Sequence, residues 1–220
     1  NVRSGAETII MALVKYNDRS LRNLTTAPAA VTGNSPGALV HIKTLTASSS
    51  ATLAFVDGAS SVVLDSTYPI YKFELINVHP ATDGQKITFQ GNAAGGSGFN
   101  ETITSTAFDS EHSEGDANSF SYNTSGDQSG TAYQPLSQNN VGNDNDQCAV
   151  GNLFLFNPSS TTFVKHFIYT GSSLNSGDYL SHDFVAGYFN TTSAIDEISF
   201  KFESGNIDAG QIKLYGIKDA

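Results

Sequence analysis

Cysteine is nearly absent from this chain, and tryptophan is absent altogether. Cys148 is the only cysteine among 220 residues, so the chain can form no intramolecular disulfide and no zinc site built on several cysteines. A glycosidase needs an apolar wall to raise the pKa of its acid, and it usually holds its sugar with aromatic side chains. The lack of tryptophan therefore makes a carbohydrate-active enzyme the least favoured function class.

Basic residues are missing from a long internal stretch. No Lys or Arg lies between Lys86 and Lys165, whereas the same stretch holds eight acidic residues: Glu101, Asp109, Glu111, Glu114, Asp116, Asp127, Asp144 and Asp146. The net charge of the chain is −10, and such a surface repels a phosphate backbone, so nucleic-acid binding is disfavoured. The acids fit a solvated rim that keeps the protein soluble; the alternative is a surface that binds a divalent cation or a receptor.

Long apolar runs are also absent. The longest run near the start, "IIMALV" at residues 9–14, is far shorter than the roughly 20 residues of a membrane-spanning helix, so we predict no membrane span and no signal peptide. Met11 is followed by the small residue Ala12, as initiator methionines commonly are. This predicts that translation starts at Met11 and that the ten residues before it are an upstream extension.

Catalytic motifs are not found either. The chain has no Gly-rich phosphate loop followed by a helix, no His-Glu-x-x-His and no Gly-x-Ser-x-Gly. His79 and His166 have no partner at a metal-binding spacing, and we interpret both as packed, hydrogen-bonded residues. We therefore predict that the protein is not an enzyme and has neither catalytic residues nor a bound organic cofactor.

Two acidic segments remain as candidate binding residues. The segment "FDSEHSEGD" lacks the apolar flanks of a hydrolase, but it offers candidate receptor contacts: Asp109, Glu111, Glu114 and Asp116. In "NDND", Asp144 and Asp146 stand at alternate positions like part of a calcium loop, without the remaining ligands or the closing Glu. A plain turn is favoured for this segment, and a calcium site at Asp144 and Asp146 is the alternative.

The chain does contain many short segments in which apolar and polar residues alternate. About a dozen such segments follow Ala38, among them Tyr71–Val78, Lys86–Gln90 and Ser61–Leu64, and none is long and periodic enough for a helix. This pattern predicts an all-β fold, an antiparallel β-sandwich of jelly-roll-like type.

The first long strand carries two further predictions. The turn residues "HPATDG" follow Tyr71–Val78 and precede Lys86–Gln90, which predicts a β-hairpin of these two strands. Leu75 and Ile76 are adjacent and apolar, which predicts either a bulge at this point or cover on both faces.

Two segments are apolar in both phases of a strand. They are Leu153–Phe156 and Val185–Phe189. Strands of this type belong at the centre of a sandwich or at a subunit interface. Since a domain of this size has limited interior for two of them, we predict a homo-oligomer.

The composition changes near residue 36. Residues 1–24 have a net charge of +2, and the segment "TTAPAAVTGNSPG" that ends at Gly37 is rich in Pro, Gly and Ala. We predict an attachment segment, or tether, at residues 1–36 and a β-sandwich domain at residues 37–220.

Five segments follow one another over roughly residues 42–217 and read "IKTLTASSSATLAFVDG", "LDSTYPIYKFELINVHPATD", "LFNPSSTTFVKHF", "AGYFNTTSAID" and "FKFESGNIDAGQIKLYGI". In this order they resemble a recurring module in virion proteins of tailed phages, especially marine phages that infect cyanobacteria and related bacteria. The resemblance implies a tail-fibre or appendage component on the virion surface, which is a structural protein and a homotrimer. It also implies that the N-terminal segment attaches to another virion protein. The resemblance supplies no functional residue.

Three function classes stay open at this point. A virion fibre or appendage protein is favoured; a capsid decoration protein or a secreted bacterial adhesin is the alternative, and a carbohydrate-active enzyme comes last. For an outward-facing appendage, the acidic segment at Asp109–Asp116 would contact host cell-surface glycans, with a divalent cation such as calcium bridging the two anionic surfaces.

Overall fold

The computed structural model describes residues 38–218, which form two antiparallel β-sheets packed as a sandwich. The predicted all-β sandwich is therefore confirmed. The predicted tether and Met11 lie outside the described residues, so the domain boundary near residue 36 stays a prediction. Within residues 38–218 no helix has the length and apolar character needed to cross a membrane.

The described residues contain thirteen strands. In chain order they are β1 (Leu39–Thr46), β2 (Leu53–Phe55), β3 (Ile70–Pro80), β4 (Ile87–Ala93), β5 (Ile103–Ser113), β6 (Asn118–Tyr122), β7 (Ser129–Gly130), β8 (Gln134–Pro135), β9 (Ala149–Phe156), β10 (Lys165–Leu174), β11 (Tyr179–Phe189), β12 (Ile195–Phe202) and β13 (Ile207–Ile217).

The two sheets differ in size. The large sheet has nine strands in the order β1-β13-β3-β9-β10-β11-β5-β6, with β7 also paired to β5, and the small sheet has four in the order β2-β12-β4-β8. The chain passes from one sheet to the other repeatedly, so strands that are consecutive in sequence often lie in opposite layers. Because the small sheet has fewer strands than the large one, it covers only part of one face of the large sheet. The opposite face of the large sheet is its outer face.

Aromatic rings join the two sheets in the core. Phe73 of β3 lies 5.5 Å from Phe200 of β12, and Phe167 of β10 lies 4.9 Å from Phe89 of β4, measured between ring centroids. All four side chains are at most 1% exposed. Each occupies an inward position of an alternating strand, which is why the period of two in the sequence predicts the core face.

The predicted irregularity in β3 is a β-bulge. The pairing of β3 with β9 shifts between Leu75 and Val78, and Asn77 has a positive φ of 48°. The pairing of β3 with β13 shifts at the same place, where Gly210 has a φ of 109°. The extra residue lets both Leu75 and Val78 face the core, so the bulge resolves the change of phase seen in the sequence.

The predicted hairpin of β3 and β4 is wrong. β3 pairs with β13 and β9 in the large sheet, whereas β4 pairs with β12 and β8 in the small one. The segment after Pro80 therefore crosses between layers instead of reversing within one sheet. Every residue of β4 is buried. Such burial requires a paired strand on each side and cover on both faces, and pairing with β3 at a sheet edge would not provide them.

The predicted strand at Ser61–Leu64 is also wrong. A single 3-10 turn covers Ala59–Ser61, Val62 after it has an extended backbone, and residues 62–64 belong to no strand. Val62 and Leu64 are nevertheless 2% and 3% exposed, so the alternation reports their burial correctly. An alternating pattern records which side chains face the core, and it does not require a neighbouring strand.

The two doubly apolar segments each divide between the core and the outer face. Leu153 and Leu155 are buried in the sandwich, while Phe154 and Phe156 are half-buried on the outer face of the large sheet. In β11, Val185 and Phe189 face the core and Tyr188 faces outward. The second apolar phase therefore lines the outer face, which leaves the predicted homo-oligomer as a prediction.

Candidate functional site

The four predicted receptor contacts do not share one surface. Asp109 is 2% exposed, and Glu111 is half-buried; both lie in the inward phase of β5. Glu114 and Asp116 are exposed at the turn between β5 and β6, where Asp116 contacts His112 at 3.2 Å. Because Asp109 faces the interior, it is not available to a receptor, whereas Glu111 is partly accessible and Glu114 and Asp116 project from the surface.

Asp109 is one half of a buried carboxylate pair. It lies directly opposite Asp183 of β11 in the register of the two strands, and Asp183 is 0% exposed. Asp109 accepts hydrogen bonds from the Asn139 amide at 3.0 Å and from the Ser121 hydroxyl at 3.4 Å. Neutral donors, rather than a cation, therefore satisfy this buried acid.

Asp183 is held in the same way by the strands and the loop around it. Its Oδ1 accepts from the backbone N–H of Gln138 and from the Ser181 hydroxyl, both at 2.9 Å. Burial raises the pKa of Asp183 to about 6, and the nearby Asp109 carboxylate adds to the rise, while the hydrogen bonds from Gln138 and Ser181 oppose it. The pair fixes the segment around Gln138 against the large sheet.

Sequence reasoning did not identify Asp183. The available signal was its phase, because Ser181, Asp183 and Val185 occupy alternate positions and Val185 is apolar. An acid in the inward phase of a strand requires buried hydrogen-bond donors nearby. Those donors come from residues 138 and 173 as well as 181, and distant contacts of this kind are not visible in a single sequence.

The predicted calcium residues lie on an exposed turn. Asp144 and Asp146 are both exposed, and the Asp144 backbone oxygen accepts from the backbone N–H of Gln147 at 2.9 Å. Among the described residues, no group of three or more His, Cys, Asp or Glu side chains is placed to hold a metal. The local geometry is that of the plain turn favoured in the sequence, and calcium binding here stays a prediction.

The two histidines singled out differ in their surroundings. His79 is close to the loop before β9, with its Nε2 3.2 Å from the backbone oxygen of Asp144 and its Nδ1 3.9 Å from Asp208. His166 is exposed on the outer face, with its ring centroid 5.6 Å from that of Tyr188. His79 is hydrogen-bonded as predicted, whereas His166 contacts an aromatic ring at the surface instead of lying in the interior.

A polar cleft opens beside the buried carboxylate pair. Its volume is about 470 Å³, and it is lined by side chains from several loops and strands: Lys86, Glu111, Asn123, Ser125, Gln138, Asn139, Asn140, Asn175, Ser176, Gly177 and Tyr179. Five of these residues carry amide side chains, which can donate and accept hydrogen bonds at once. We call this feature the amide cleft.

Aromatic side chains are grouped on the outer face of the large sheet. Phe108 of β5 stacks on Phe184 of β11 at 4.7 Å and lies 5.7 Å from Phe120 of β6. Phe120 is 73% exposed and Tyr122 is 55% exposed. These four residues, which we call the outer aromatic patch, form a contiguous exposed group that the sequence did not reveal because strand pairing brings them together.

The cleft, the aromatic patch and the acidic turn differ in chemistry, and each is a surface suited to contact or binding. The amide cleft provides hydrogen-bonding groups, the outer aromatic patch provides apolar area, and the turn with Glu114 and Asp116 provides exposed negative charge. Comparison of the chain with protein-family models, with curated proteins and with solved structures gives no match to any of them.

Proposed function

We propose that this protein is a structural component of a tailed-phage virion, a fibre or other appendage exposed on the particle, and that it contacts the host surface. The observation that carries the proposal is the ordered resemblance of five segments across residues 42–217 to a module of such virion proteins. The β-sandwich supports this proposal, because a rigid sheet scaffold that presents loops suits a protein that binds other surfaces.

We infer that the protein assembles as a homotrimer through the outer face of its large sheet. The outer aromatic patch supports this, together with the half-buried Phe154, Phe156 and Tyr188 on the same face. Monomeric proteins rarely expose large contiguous apolar patches, and a stable interface covers about 800 Å² on each partner. The trimer itself is what the resemblance implies.

We infer further that residues 1–36 attach the protein to another virion component. The support is compositional: a net charge of +2 over residues 1–24 and a Pro- and Gly-containing linker before the sandwich. A basic segment on a protein with a net charge of −10 suits an acidic partner surface.

Host contact is assigned to the turn between β5 and β6. Glu114 and Asp116 are exposed there, and calcium could bridge these carboxylates to anionic bacterial glycans. The competing interpretation is that they belong only to the solubilising rim.

Adsorption of the purified protein to host cells, with and without calcium, tests the proposed contact. We expect the Glu114→Gln/Asp116→Asn variant to adsorb more weakly than wild type when calcium is present and equally when calcium is absent. The matched control is Asp57→Asn/Glu203→Gln, which removes two exposed acids elsewhere and should adsorb like wild type. Equal, calcium-independent adsorption by all three proteins would assign Glu114 and Asp116 to the rim.

A further inference from the structure

We propose that the amide cleft binds a saccharide unit, and that it is a second point of contact with a host-surface glycan, in addition to the acidic turn between β5 and β6. The inference rests on the proposed host contact and adds to it a site and a ligand class. Its position differs from that of the exposed acidic turn, since the cleft lies between the start of β4, the turn before β11 and the loop at residues 138–140.

The size of the amide cleft suits a small ligand. Ligand pockets span about 300–1,000 Å³, and the cleft has a volume of about 470 Å³. Most such pockets are lined by apolar side chains, whereas this one is lined by amides, one cation, one carboxylate and one aromatic ring. A ligand that fits it must therefore be rich in hydrogen-bonding groups.

Several side chains that line the amide cleft are held in place by hydrogen bonds within the protein. Asn175 accepts from the backbone N–H of Gly177 at 2.8 Å and of Tyr179 at 3.1 Å, and its amide donates to Glu111 at 3.2 Å. Asn139 is held by its bond to the buried Asp109. Side chains that are already ordered lose little entropy when a ligand binds, which favours recognition.

Other groups on the lining keep unused hydrogen-bonding capacity. Within residues 38–218, the Asn140 side chain and the Tyr179 hydroxyl make no hydrogen bond, and the Lys86 ammonium makes a single one, to Ser125 at 3.1 Å. An ammonium has three donors and a primary amide has two donors and an acceptor. These groups are therefore able to bond a ligand without breaking a contact of the fold.

The charges on and behind the lining of the amide cleft disfavour anionic ligands. Lys86 is the only cation on the lining and Glu111 the only carboxylate there, with the buried Asp109 and Asp183 behind them. A phosphate or another strong anion would meet more negative than positive charge. A neutral saccharide suits the site better, since its hydroxyls both donate and accept and the face of its ring can lie on Tyr179.

Saturation-transfer NMR with the full chain tests the inference. The probes are glucose, galactose, mannose and N-acetylglucosamine, followed by lipopolysaccharide and capsular polysaccharide from the host as separate arms that distinguish the source. We expect transfer to the ring protons of at least one sugar. Loss of one hydrogen bond weakens binding about fivefold, so Asn140→Ala should reduce affinity by about that factor. Tyr179→Leu should reduce it by removing the ring.

Two control variants locate the bound sugar. Asn118→Ala removes an exposed amide from β6, and Phe163→Ala removes an exposed ring from the loop before β10; both should bind like wild type. The inference is overturned if no sugar or polysaccharide receives transfer, if Asn140→Ala and Tyr179→Leu bind like wild type, or if Phe163→Ala abolishes binding. None of these outcomes bears on where the protein sits on the virion, which is measured separately.

Discussion

Asp109 and Asp183 place two acids inside a sandwich that supplies no cation beside them. They are tolerated because hydroxyl, amide and backbone donors surround both carboxylates, and because the proton on Asp183 is held up to a pH of about 6. The pair ties the loop around Gln138 to β5 and β11, and this loop forms part of the amide cleft. The buried acids thus connect the core to the proposed binding site.

The raised pKa of Asp183 predicts how stability depends on pH. The folded pKa of about 6 lies above the ordinary value of 3.8, so the folded protein keeps a proton that the unfolded chain releases. Asp183 therefore lowers the free energy of unfolding as the pH rises from about 4 to about 7, by at most a few kcal/mol. Asp183→Asn removes this dependence because an amide does not titrate in this pH range. Its amide oxygen can still accept hydrogen bonds from Gln138 and Ser181.

Urea titrations at several pH values measure this effect. The stability of Asp183→Asn relative to wild type should rise between about pH 4 and pH 7 and then level off. Asp57→Asn, in an exposed loop, is the control for loss of a carboxylate. A relative stability that does not change with pH would contradict the raised pKa of Asp183.

Gly151 gives a second prediction at the residue scale. A Cβ at this position would lie 2.6 Å from ring atoms of the buried Tyr169, which occupies the space above the glycine. We expect Gly151→Ala to lower the free energy of unfolding by about 1–3 kcal/mol through overpacking. Gly130→Ala is the control, because a Cβ there meets nothing within 4 Å, and its denaturation midpoint should stay close to that of wild type.

Among the elements, the bulge in β3 shows how backbone geometry sets the register. Gly210 of β13 faces the bulge with a φ of 109°, and a Cβ there would lie 2.7 Å from the α-carbon of Val78. Only glycine fits both the dihedral angle and the space. The strands on either side of the bulge keep their inward phases as a result.

Gly210→Ala should destabilise the sandwich by more than the dihedral angle alone explains. Gly98 supplies the comparison, since it also has a positive φ, of 85°, but open space around its α-carbon. The cost of the dihedral is about 1–3 kcal/mol, and we expect Gly98→Ala to show no more than this and Gly210→Ala to exceed it in urea denaturation. Equal losses would mean that the bulge tolerates a side chain.

Alternation along each element predicted much of the fold. It predicted most of the long strands and the change of phase at Leu75 and Ile76 that the bulge resolves, because these features depend on neighbouring residues in sequence. The β3–β4 hairpin failed because the pairing of β4 is decided by β8 and β12, far away in the chain. The two-residue strands β7 and β8 are too short to carry a period.

The candidate sites were less accessible to sequence reasoning than the strands. The acids at 109–116 were visible as a charged segment, but the phase of β5 buries Asp109, places Glu111 on the lining of the amide cleft and leaves only Glu114 and Asp116 exposed. The amide cleft and the outer aromatic patch combine residues more than 50 positions apart, such as Lys86 with Tyr179 and Phe108 with Phe184. Such sites follow from topology, which a single sequence does not determine.

For the whole molecule, the domain boundary gives a direct prediction. Deleting residues 1–36 should leave a sandwich that unfolds in one cooperative thermal transition, because residues 38–218 already form both sheets and the core between them. Calorimetry of the truncated and complete chains makes the comparison. If the truncated chain lost its cooperative transition, residues 1–36 would belong to the core.

Assembly gives the other prediction at this scale. Light scattering should give three times the chain mass of 23.3 kDa. Phe120→Glu should dissociate the trimer by placing a charge in the outer aromatic patch, whereas Phe163→Glu changes a similarly exposed ring, 69% against 73%, in a loop outside it. A wild-type monomer, or dissociation by Phe163→Glu alone, would contradict the proposed interface.

The position of the protein on the particle tests the proposed function most directly. The proposed function implies an encoding phage, whose virions can be labelled with gold-conjugated antibodies against the sandwich and imaged by negative-stain electron microscopy. A fibre or appendage component predicts gold confined to the tail or its projections. Gold spread evenly over the capsid would instead indicate a decoration protein, and virions without label would contradict a role in the particle.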